Sequence, residues 1–333
     1  MLDSFHISQA IEQGDIMKKR NRFLTFEDVA NEWLEMPSRK KDGGKSEKYF
    51  RYAKYLIDGR KNERGCPQLG SLQVIKITDS HIKEYDRYLR KQPGRRKGTF
   101  LSAAAINSYA GAYNTIMNFA QKEGYIDSFP TWEKRTEKRN DFLPTEEQIH
   151  RFIKQLDPLR RDMFIFACHT GLRCTNVRTV KRSQFSNNFR ECYFEGDQMK
   201  NGLPFHKALN EEARKIVIKY IRLGEELMDK YKWLPEIEHV FIQQSGRSMG
   251  KPFAAKVVCN SVWRKARVQA SVPSKFKFHS ARHYMASTMI RSGIPETAVM
   301  QSGGWTGKDS MRDYTHVINN QVTAAAEVTG SFL

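Results

Sequence analysis

Apolar residues recur at helical spacing along most of the chain, and short polar stretches separate these stripes. In the first part the pattern predicts four helices, over 25–35, 49–60, 81–91 and 102–124. Thr25 and Ser102 stand where N-caps are expected, and Gly124 is typical of a residue that ends a helix. The first 125 residues therefore predict an all-helical unit.

The second part continues the helical pattern with one interruption. Helices are predicted after a capping box at 145–148, over 158–170, 175–182, 210–230, 254–269 and 279–291, from Pro295, and over 308–314. Residues 189–207 instead read as two strands, with Asn201-Gly202 between them. Asn-Gly is the strongest short-range signal for a hairpin turn. The sequence thus predicts a mainly α fold with a small β-hairpin.

Composition shifts divide the chain into four parts. Residues 1–22 are a polar N-terminal extension, and 23–125 form the first helical domain. The charged stretch 126–142 is typical of an interdomain linker, and 143–333 form a second domain with a C-terminal tail.

Charge points to a polyanionic partner. The formal net charge is +19, with 27 Lys+Arg against 18 Asp+Glu in residues 1–140 and the remaining 29 against 19 in 141–333. Both halves are basic, which favours two domains contacting one polyanion, either nucleic acid or an acidic membrane face. The sequence contains no apolar run near the ~20 residues of a membrane span and no broad basic amphipathic helix. Its first residues lack a cationic stretch followed by an apolar one, so we expect no secretory leader. We therefore favour nucleic acid and expect no membrane partner.

Cysteine usage predicts a reducing compartment. The five cysteines form no CxxC pair, and they are Cys66, Cys168, Cys174, Cys192 and Cys259. This pattern favours neither a disulfide framework nor a zinc module.

Four residues have side chains of the types that bind or attack a phosphate group. His279 and Arg282 lie three apart on a predicted helix and share a face, so an imidazole and a guanidinium point the same way. Arg173 follows a glycine turn in Thr170-Gly171-Leu172-Arg173, and Tyr314 lies on a short polar segment near the C-terminus. Each is a weak signal alone.

Their order gives the signal its strength. In the order of its motifs, this chain resembles the catalytic domain of the tyrosine recombinases, also called phage integrases. The motifs are TGLR, Lys200 in the hairpin, HxxR, Gly-Gly-Trp305 and Tyr314. The first domain resembles that family's helical, SAM-like core-binding domain. The resemblance implies a two-domain clamp on DNA.

The resemblance also implies catalytic roles. Tyr314 is the nucleophile that forms a 3′-phosphotyrosyl link, Arg173 and Arg282 neutralise the phosphate, and Lys200 protonates the leaving 5′-oxygen. His279 helps deprotonate Tyr314 or holds the phosphate. Trp305 stands where many members have histidine, and its N–H donates to a phosphate oxygen. No ATP, cofactor or metal is implied, and the chain has no GxxxxGK[ST] loop.

The pattern departs from the family at one position. Asn176 stands where an acidic residue usually follows the first arginine. Among the neighbouring residues, His283 is expected to act only indirectly. His206 and Lys207 are expected to contact phosphate or to lie on a solvated strand edge.

Seven basic residues are candidate DNA contacts: Arg95, Arg96, Lys97, Lys181, Arg182, Lys275 and Lys277. The implied partners are duplex DNA with specific recombination sites and further copies of the chain, monomeric in free solution and tetrameric on DNA. An accessory directionality factor stays open. The expected location is the cytoplasm, at the nucleoid. Two alternatives remain at this point: a type IB topoisomerase-like relaxer, and a non-catalytic DNA-binding regulator.

Overall fold

Two compact units make up the fold. The computed structural model describes residues 23–37, 47–59, 65–94, 97–137, 142–199, 201–254, 261–307, 311 and 314. Contacts divide the chain into Met1–Lys138 and Arg139–Leu333. Helices dominate both units, and two strands form one small antiparallel sheet in the second. The predicted fold class, mainly α with a small β-hairpin, is confirmed. The N-terminal extension 1–22 lies outside the described residues.

The first unit is helical, as its apolar stripes predict. Its helices are α1 (Phe26–Glu35), α2 (Glu47–Asp58), α3 (Asp79–Lys91) and α4 (Ala103–Lys122). Thr25 and Asp28 form a capping box at the start of α1, and the Ser102 hydroxyl accepts a hydrogen bond from the amide of Ala105 at the start of α4. These local caps explain why the helices begin where the sequence places them.

Most of the predicted linker 126–142 instead belongs to the first unit. Trp132 is buried in that unit's core. The side-chain amide of Asn114 pairs with both backbone groups of Trp132, at 2.9 and 3.0 Å, and Asn107 pairs in the same way with Arg135, at 2.8 Å for both bonds. Two asparagines on α4 thus form hydrogen bonds with the backbone groups of this extended segment, as a neighbouring strand would. The charge of the segment had instead predicted a solvent-exposed linker.

The second unit contains the sheet and the remaining helices. These are α5 (Glu146–Ile153), α6 (Pro158–Thr170), α7 (Cys174–Thr179), β1 (Glu191–Phe194), β2 (Phe205–Ala208), α8 (Glu211–Lys230), α9 (Ser261–Gln269), α10 (Ser280–Arg291) and α11 (Glu296–Gly303). The Thr145–Gln148 capping box is present. α10 packs on α6, and α11 packs on α10. The predicted helix 254–269 is described only from Ser261, and the predicted short helix 308–314 only at Met311 and Tyr314.

The hairpin differs from the tight turn that Asn201-Gly202 suggested. β1 pairs antiparallel with β2, with Cys192 opposite Lys207 and Phe194 opposite Phe205. Residues 195–204 connect the strands and include a 3-10 turn over Gly196–Gln198. Gly202 has a φ of 73°, so the Asn-Gly pair turns the chain within a longer loop.

Aromatic rings form the centre of the second unit's core. Phe152 lies 4.5 Å from Trp263 and 4.7 Å from Phe276, centroid to centroid, and Phe164 packs against all three rings. Such tilted and edge-on contacts fix ring orientation as well as burying apolar area. Across the helices that the structure describes, none is long and apolar enough to cross a membrane.

Candidate active site

A glycine turn places Arg173. Gly171 ends α6 in the left-handed conformation, with a φ of 69°, and a Cβ there would lie 2.6 Å from Met285. The atoms of Met285 in question are the flexible end of its side chain, which can move, so the positive φ is the main reason for glycine at this position. The turn lets α7 start at once, with Arg173 as its N-cap residue and its side chain half-buried. Burial lowers the pKa of Arg173.

Arg282 lies on α10 beside this turn and is buried, with 3% of its surface exposed. Its Nη1 donates to the carbonyl of Gly171 at 2.8 Å, whereas its buried Nη2 has no partner among the described residues. Burial, together with the charge of Arg173, lowers the pKa of Arg282 to about 10, so the guanidinium stays charged at neutral pH. A buried guanidinium with an unused donor is suited to an oxyanion.

The Trp305 ring stacks against the guanidinium of Arg282. The guanidinium carbon of Arg282 lies 3.9 Å from the centroid of the Trp305 ring. Two glycines at the end of α11 make room: a Cβ at Gly303 would overlap the indole, and one at Gly304, whose φ is 63°, would lie 3.0 Å from the Phe205 ring. Gly303 is therefore sterically required by the position of the indole, and Gly304 by its positive φ in the turn that leads to Trp305.

Tyr314 completes the cluster. It is buried, with 1% exposed, and its ring lies 6.1 Å from that of Trp305, edge-on. Its hydroxyl lies 2.9 Å from Nδ1 of His283. His279, the histidine expected to deprotonate Tyr314, is solvent-exposed, and its ring packs against His283 with centroids 4.9 Å apart. The expectation that His283 acts only indirectly stays a prediction, and the structure adds that His283 contacts the Tyr314 hydroxyl directly.

Lys207 is buried, which corrects the expectation of a solvated strand edge. Only 5% of its surface is exposed, and its Nζ donates to the Ser302 hydroxyl at 2.6 Å and to the Ser302 carbonyl at 3.0 Å. No carboxylate of the described residues pairs with it. Burial and then the charge of Arg282 lower the pKa of Lys207 to about 8. The Lys207 ammonium therefore links β2, the strand that follows the Lys200 loop, to the end of α11, which precedes Trp305.

The buried charge of Lys207 has a predicted cost in stability. Below pH 8 the ammonium is charged in both the folded and the unfolded chain. The free energy of the folded state is therefore raised by the cost of removing that charge from water. Between about 8 and the ordinary value of 10.5 the folded state binds fewer protons, so this contribution to stability rises with pH. We expect Lys207→Met to raise the free energy of unfolding at pH 7 by about 1–2 kcal/mol.

Urea unfolding of both proteins at pH 7 and at pH 10 measures this effect. The advantage of the variant is expected to shrink at pH 10, where the wild-type lysine is neutral in the fold. A variant that is less stable at pH 7, with a difference that does not change with pH, contradicts the burial argument.

Asn176 contacts the loop that leads to Lys200. It is buried, with 5% exposed, and its Nδ2 donates to the Gln198 carbonyl at 3.2 Å. A carboxylate has no proton to donate to that carbonyl when ionised. The amide at this position therefore holds the 195–199 segment by a bond that the usual acidic residue does not form. Lys200 itself lies outside the described residues.

The candidate DNA contacts divide into three groups. Lys97, Lys275 and Lys277 are exposed. Lys181 and Arg182 form ion pairs with Glu238 and Glu225, so a phosphate would have to compete with a carboxylate at both positions. Arg95 and Arg96 lie outside the described residues.

Among the described residues, Cys66, Cys168, Cys174 and Cys192 form no disulfide, and Cys259 lies outside the described residues. Burial raises the pKa of the Cys168 thiol. Within the described part of the chain, no three His, Cys, Asp or Glu side chains gather as a metal site.

Sequence spacing also indicates two further residues of the site, His283 and Lys207. His279 and His283 lie four apart on one helix, so they share a face. Lys207 lies between Phe205 and Leu209 at strand alternation, which places its side chain toward the core. The partner of each residue lies far away in the sequence, and for that reason neither contact was predicted.

Sequence comparison relates this chain to known integrases. The phage integrase family matches residues 144–321. The integrase of Salmonella phage P22 is 24% identical over 313 residues, which cover 91% of this chain and 79% of that protein.

Two solved structures resemble this one along most of the chain. The Tn1549 transposon integrase in complex with circular intermediate DNA gives a TM-score of 0.60 at 15% identity, covering 87% of this chain and 95% of that one. A lambda integrase tetramer bound to a Holliday junction gives 0.59 at 15% identity, covering 88% and 78%. At these identities, the structural likeness shows a shared fold.

Proposed function

This chain belongs to the phage integrase family, and from that premise we propose that it is a site-specific recombinase that cuts and rejoins DNA strands through a phosphotyrosine at Tyr314. The observation that carries the proposal is the cluster itself. Arg282 contacts the turn before Arg173 and stacks on Trp305, whose ring packs against Tyr314. Residues far apart in the sequence thus form one cluster, in which a buried tyrosine lies near a buried guanidinium whose Nη2 has no hydrogen-bond partner among the described residues.

The two arginines stabilise the reacting phosphate. As Tyr314 attacks, the phosphorus becomes five-coordinate and negative charge develops on its non-bridging oxygens. A guanidinium whose direction is set before the reaction stabilises that charge without reorganising, and its planar fork fits two oxygens. Arg282 is held in this way by Gly171 and Trp305. Arg173 supplies the second positive charge.

A tyrosine nucleophile retains the energy of the DNA backbone. Attack of the Tyr314 oxygen forms a phosphotyrosyl bond and releases a 5′-hydroxyl end. A 5′-hydroxyl from the partner strand then attacks the same phosphorus and restores the phosphodiester. Because one phosphoester replaces another, rejoining needs no ATP.

The departing 5′-oxygen needs a proton, and we assign that role to Lys200 on the resemblance of its hairpin to the family's. The contact of Asn176 with Gln198 supports this assignment, because it anchors the loop two residues before Lys200. We assign His279, which is exposed at the start of α10, to holding the phosphate. The indole N–H of Trp305 is a further donor for a phosphate oxygen.

Both units are proposed to bind one DNA duplex, since each half of the chain is basic. We assign residues 23–137 as the core-binding domain and 142–333 as the catalytic domain with its tail. Recombination joins two duplexes with two cleavage sites each, so four copies are required. The lambda integrase tetramer on a Holliday junction supports the same assembly here. The reaction places the protein in the cytoplasm with its DNA.

The two alternatives are not favoured. A type IB topoisomerase-like relaxer shares the chemistry, but the likeness to the P22 integrase extends over 91% of this chain. A non-catalytic regulator has no use for a cluster in which Tyr314, Trp305 and Arg282 are in contact.

The test is a covalent capture. Duplexes that the protein binds are first selected from a randomised pool and then nicked beside the scissile phosphate, so that the released fragment diffuses away. We expect an adduct that survives SDS. Because arginine side chains carry the charge stabilisation in this proposal, EDTA is expected to leave the yield unchanged. Absence of an adduct on every bound sequence overturns the proposed function.

A further inference from the structure

The Tyr314 hydroxyl has a histidine partner that the order of the motifs did not indicate. Its oxygen lies 2.9 Å from Nδ1 of His283, within the range of a good hydrogen bond, and both side chains are buried. His283 is one helical turn beyond His279 and stands between it and Tyr314, with ring centroids 4.9 Å from the first and 5.7 Å from the second.

We propose that His283 holds the Tyr314 hydroxyl and accepts its proton when Tyr314 attacks the DNA. The inference rests on the proposed function and deepens it, since it assigns a catalytic residue to the nucleophile. A neutral imidazole with its proton on Nε2 presents a lone pair at Nδ1, and the phenol donates to that lone pair. The hydrogen bond therefore lies along the path that the proton would take.

Burial makes this contact effective. His283 is 8% exposed and Tyr314 is 1% exposed, so water competes little for the phenol proton. A phenol with an ordinary pKa near 10 is a weak nucleophile at neutral pH, and an adjacent base removes its proton as the new bond forms. This arrangement assigns the two histidines different tasks, with His283 on the nucleophile and the exposed His279 on the phosphate.

The proton and the bonds balance in both directions. In cleavage the Tyr314 O–H bond breaks and its proton moves to Nδ1 of His283. The Tyr314 oxygen bonds to phosphorus, the bond from phosphorus to the 5′-oxygen breaks, and that oxygen takes a proton from the ammonium of Lys200. In rejoining, a 5′-hydroxyl attacks, Lys200 regains a proton, and the departing Tyr314 oxygen takes its proton back from His283.

The experiment measures single-turnover adduct formation on two nicked substrates, one with the normal 5′-oxygen and one with sulfur at that bridging position. Sulfur leaves without an acid, so it rescues a defect in protonating the leaving group but not a defect in activating Tyr314. His283→Phe is expected to lower the rate about 100-fold on both substrates. His283→Asn keeps an acceptor but takes up no proton, and it is expected to stay nearly as slow.

Tyr284→Phe is the matched control, because it removes a hydroxyl from the next residue of the same helix, whose ring packs on the main core of the second unit. It is expected to react within about twofold of wild type. Binding to the uncleaved duplex and thermal unfolding show that each His283 variant is folded.

Three results overturn the inference: a His283→Phe rate within about threefold of wild type, rescue of that variant by the sulfur substrate, or a wild-type rate in His283→Asn. If wild type forms an adduct that Tyr314→Phe does not, any of these results refutes the His283 assignment and leaves the proposed function standing. If wild type forms no adduct, both fail.

Discussion

Tyr314→Phe is expected to abolish the covalent protein–DNA adduct while leaving DNA binding within a few-fold of wild type. The substitution removes one oxygen, the atom that would bond to phosphorus, and keeps a ring that fits the same buried position between His283 and Trp305. The rate of adduct formation should therefore fall below detection.

The measurement is SDS gel electrophoresis of labelled, nicked duplex after incubation with each protein. Tyr220→Phe provides a matched control: it is another buried tyrosine of the second unit, and its hydroxyl donates to Asp162 at 3.0 Å. That variant should lose about 1 kcal/mol of stability and still form the adduct. An adduct that persists in Tyr314→Phe would falsify the assignment of the nucleophile.

Arg282→Lys is expected to lower the cleavage rate by about 100- to 1,000-fold, although it retains a positive charge. Lysine is a point charge on a flexible stem, whereas the guanidinium is planar and is held by the Gly171 carbonyl and the Trp305 ring. The substitution removes the planar pair of donors and the stacking on Trp305. It also removes the buried Nη2, which has no hydrogen-bond partner among the described residues. Most of the loss should therefore lie in the cleavage rate and little in DNA affinity.

Single-turnover cleavage at saturating protein separates these two effects. Arg178→Lys is the matched control, because Arg178 also donates through Nη1 to a backbone carbonyl, that of Phe253 at 2.6 Å, and stands outside the cluster. It should cleave within about threefold of wild type. A rate for Arg282→Lys within tenfold of wild type would show that charge alone, without the guanidinium geometry, stabilises the reacting phosphate.

Burial and a second cation lower the pKa of two side chains in the second unit. For Lys207 the second cation is Arg282, and for Arg282 it is Arg173. Like charges that are withdrawn from water are unfavourable together, and an anion beside them reduces that cost. We therefore expect a phosphate of bound DNA to interact favourably with this group of cations.

Local structure was predictable because local physics decides it. Thr25, Ser102 and Thr145 begin helices through hydrogen bonds to backbone amides three residues ahead, and those partners are visible in the sequence. Gly171 ends α6 because only glycine adopts its φ without strain, and the glycine is equally visible. The same holds for the two strands of the hairpin, whose existence and antiparallel pairing were predicted.

The contacts that were missed join residues distant in the chain. Asn107 and Asn114 bind a segment more than fifteen residues away, so a stretch with the charge of a linker became part of the first unit. In the hairpin, the Asn-Gly pair indicated a turn, but it did not indicate that a loop of residues 195–204 connects the two strands. Charge and turn signals describe a segment by itself and do not describe what packs on it.

By itself, the sequence determined the fold class, most helix limits and the order of the residues that can carry phosphate chemistry, since each depends on side-chain type and near neighbours. Only the tertiary structure decided which histidine contacts Tyr314, and that Ser302 is the hydrogen-bond partner of Lys207. The physical reason is that these contacts depend on how α10, α11 and β2 pack against one another. A displacement of a few ångströms there would exchange one partner for another and leave every motif in the sequence unchanged.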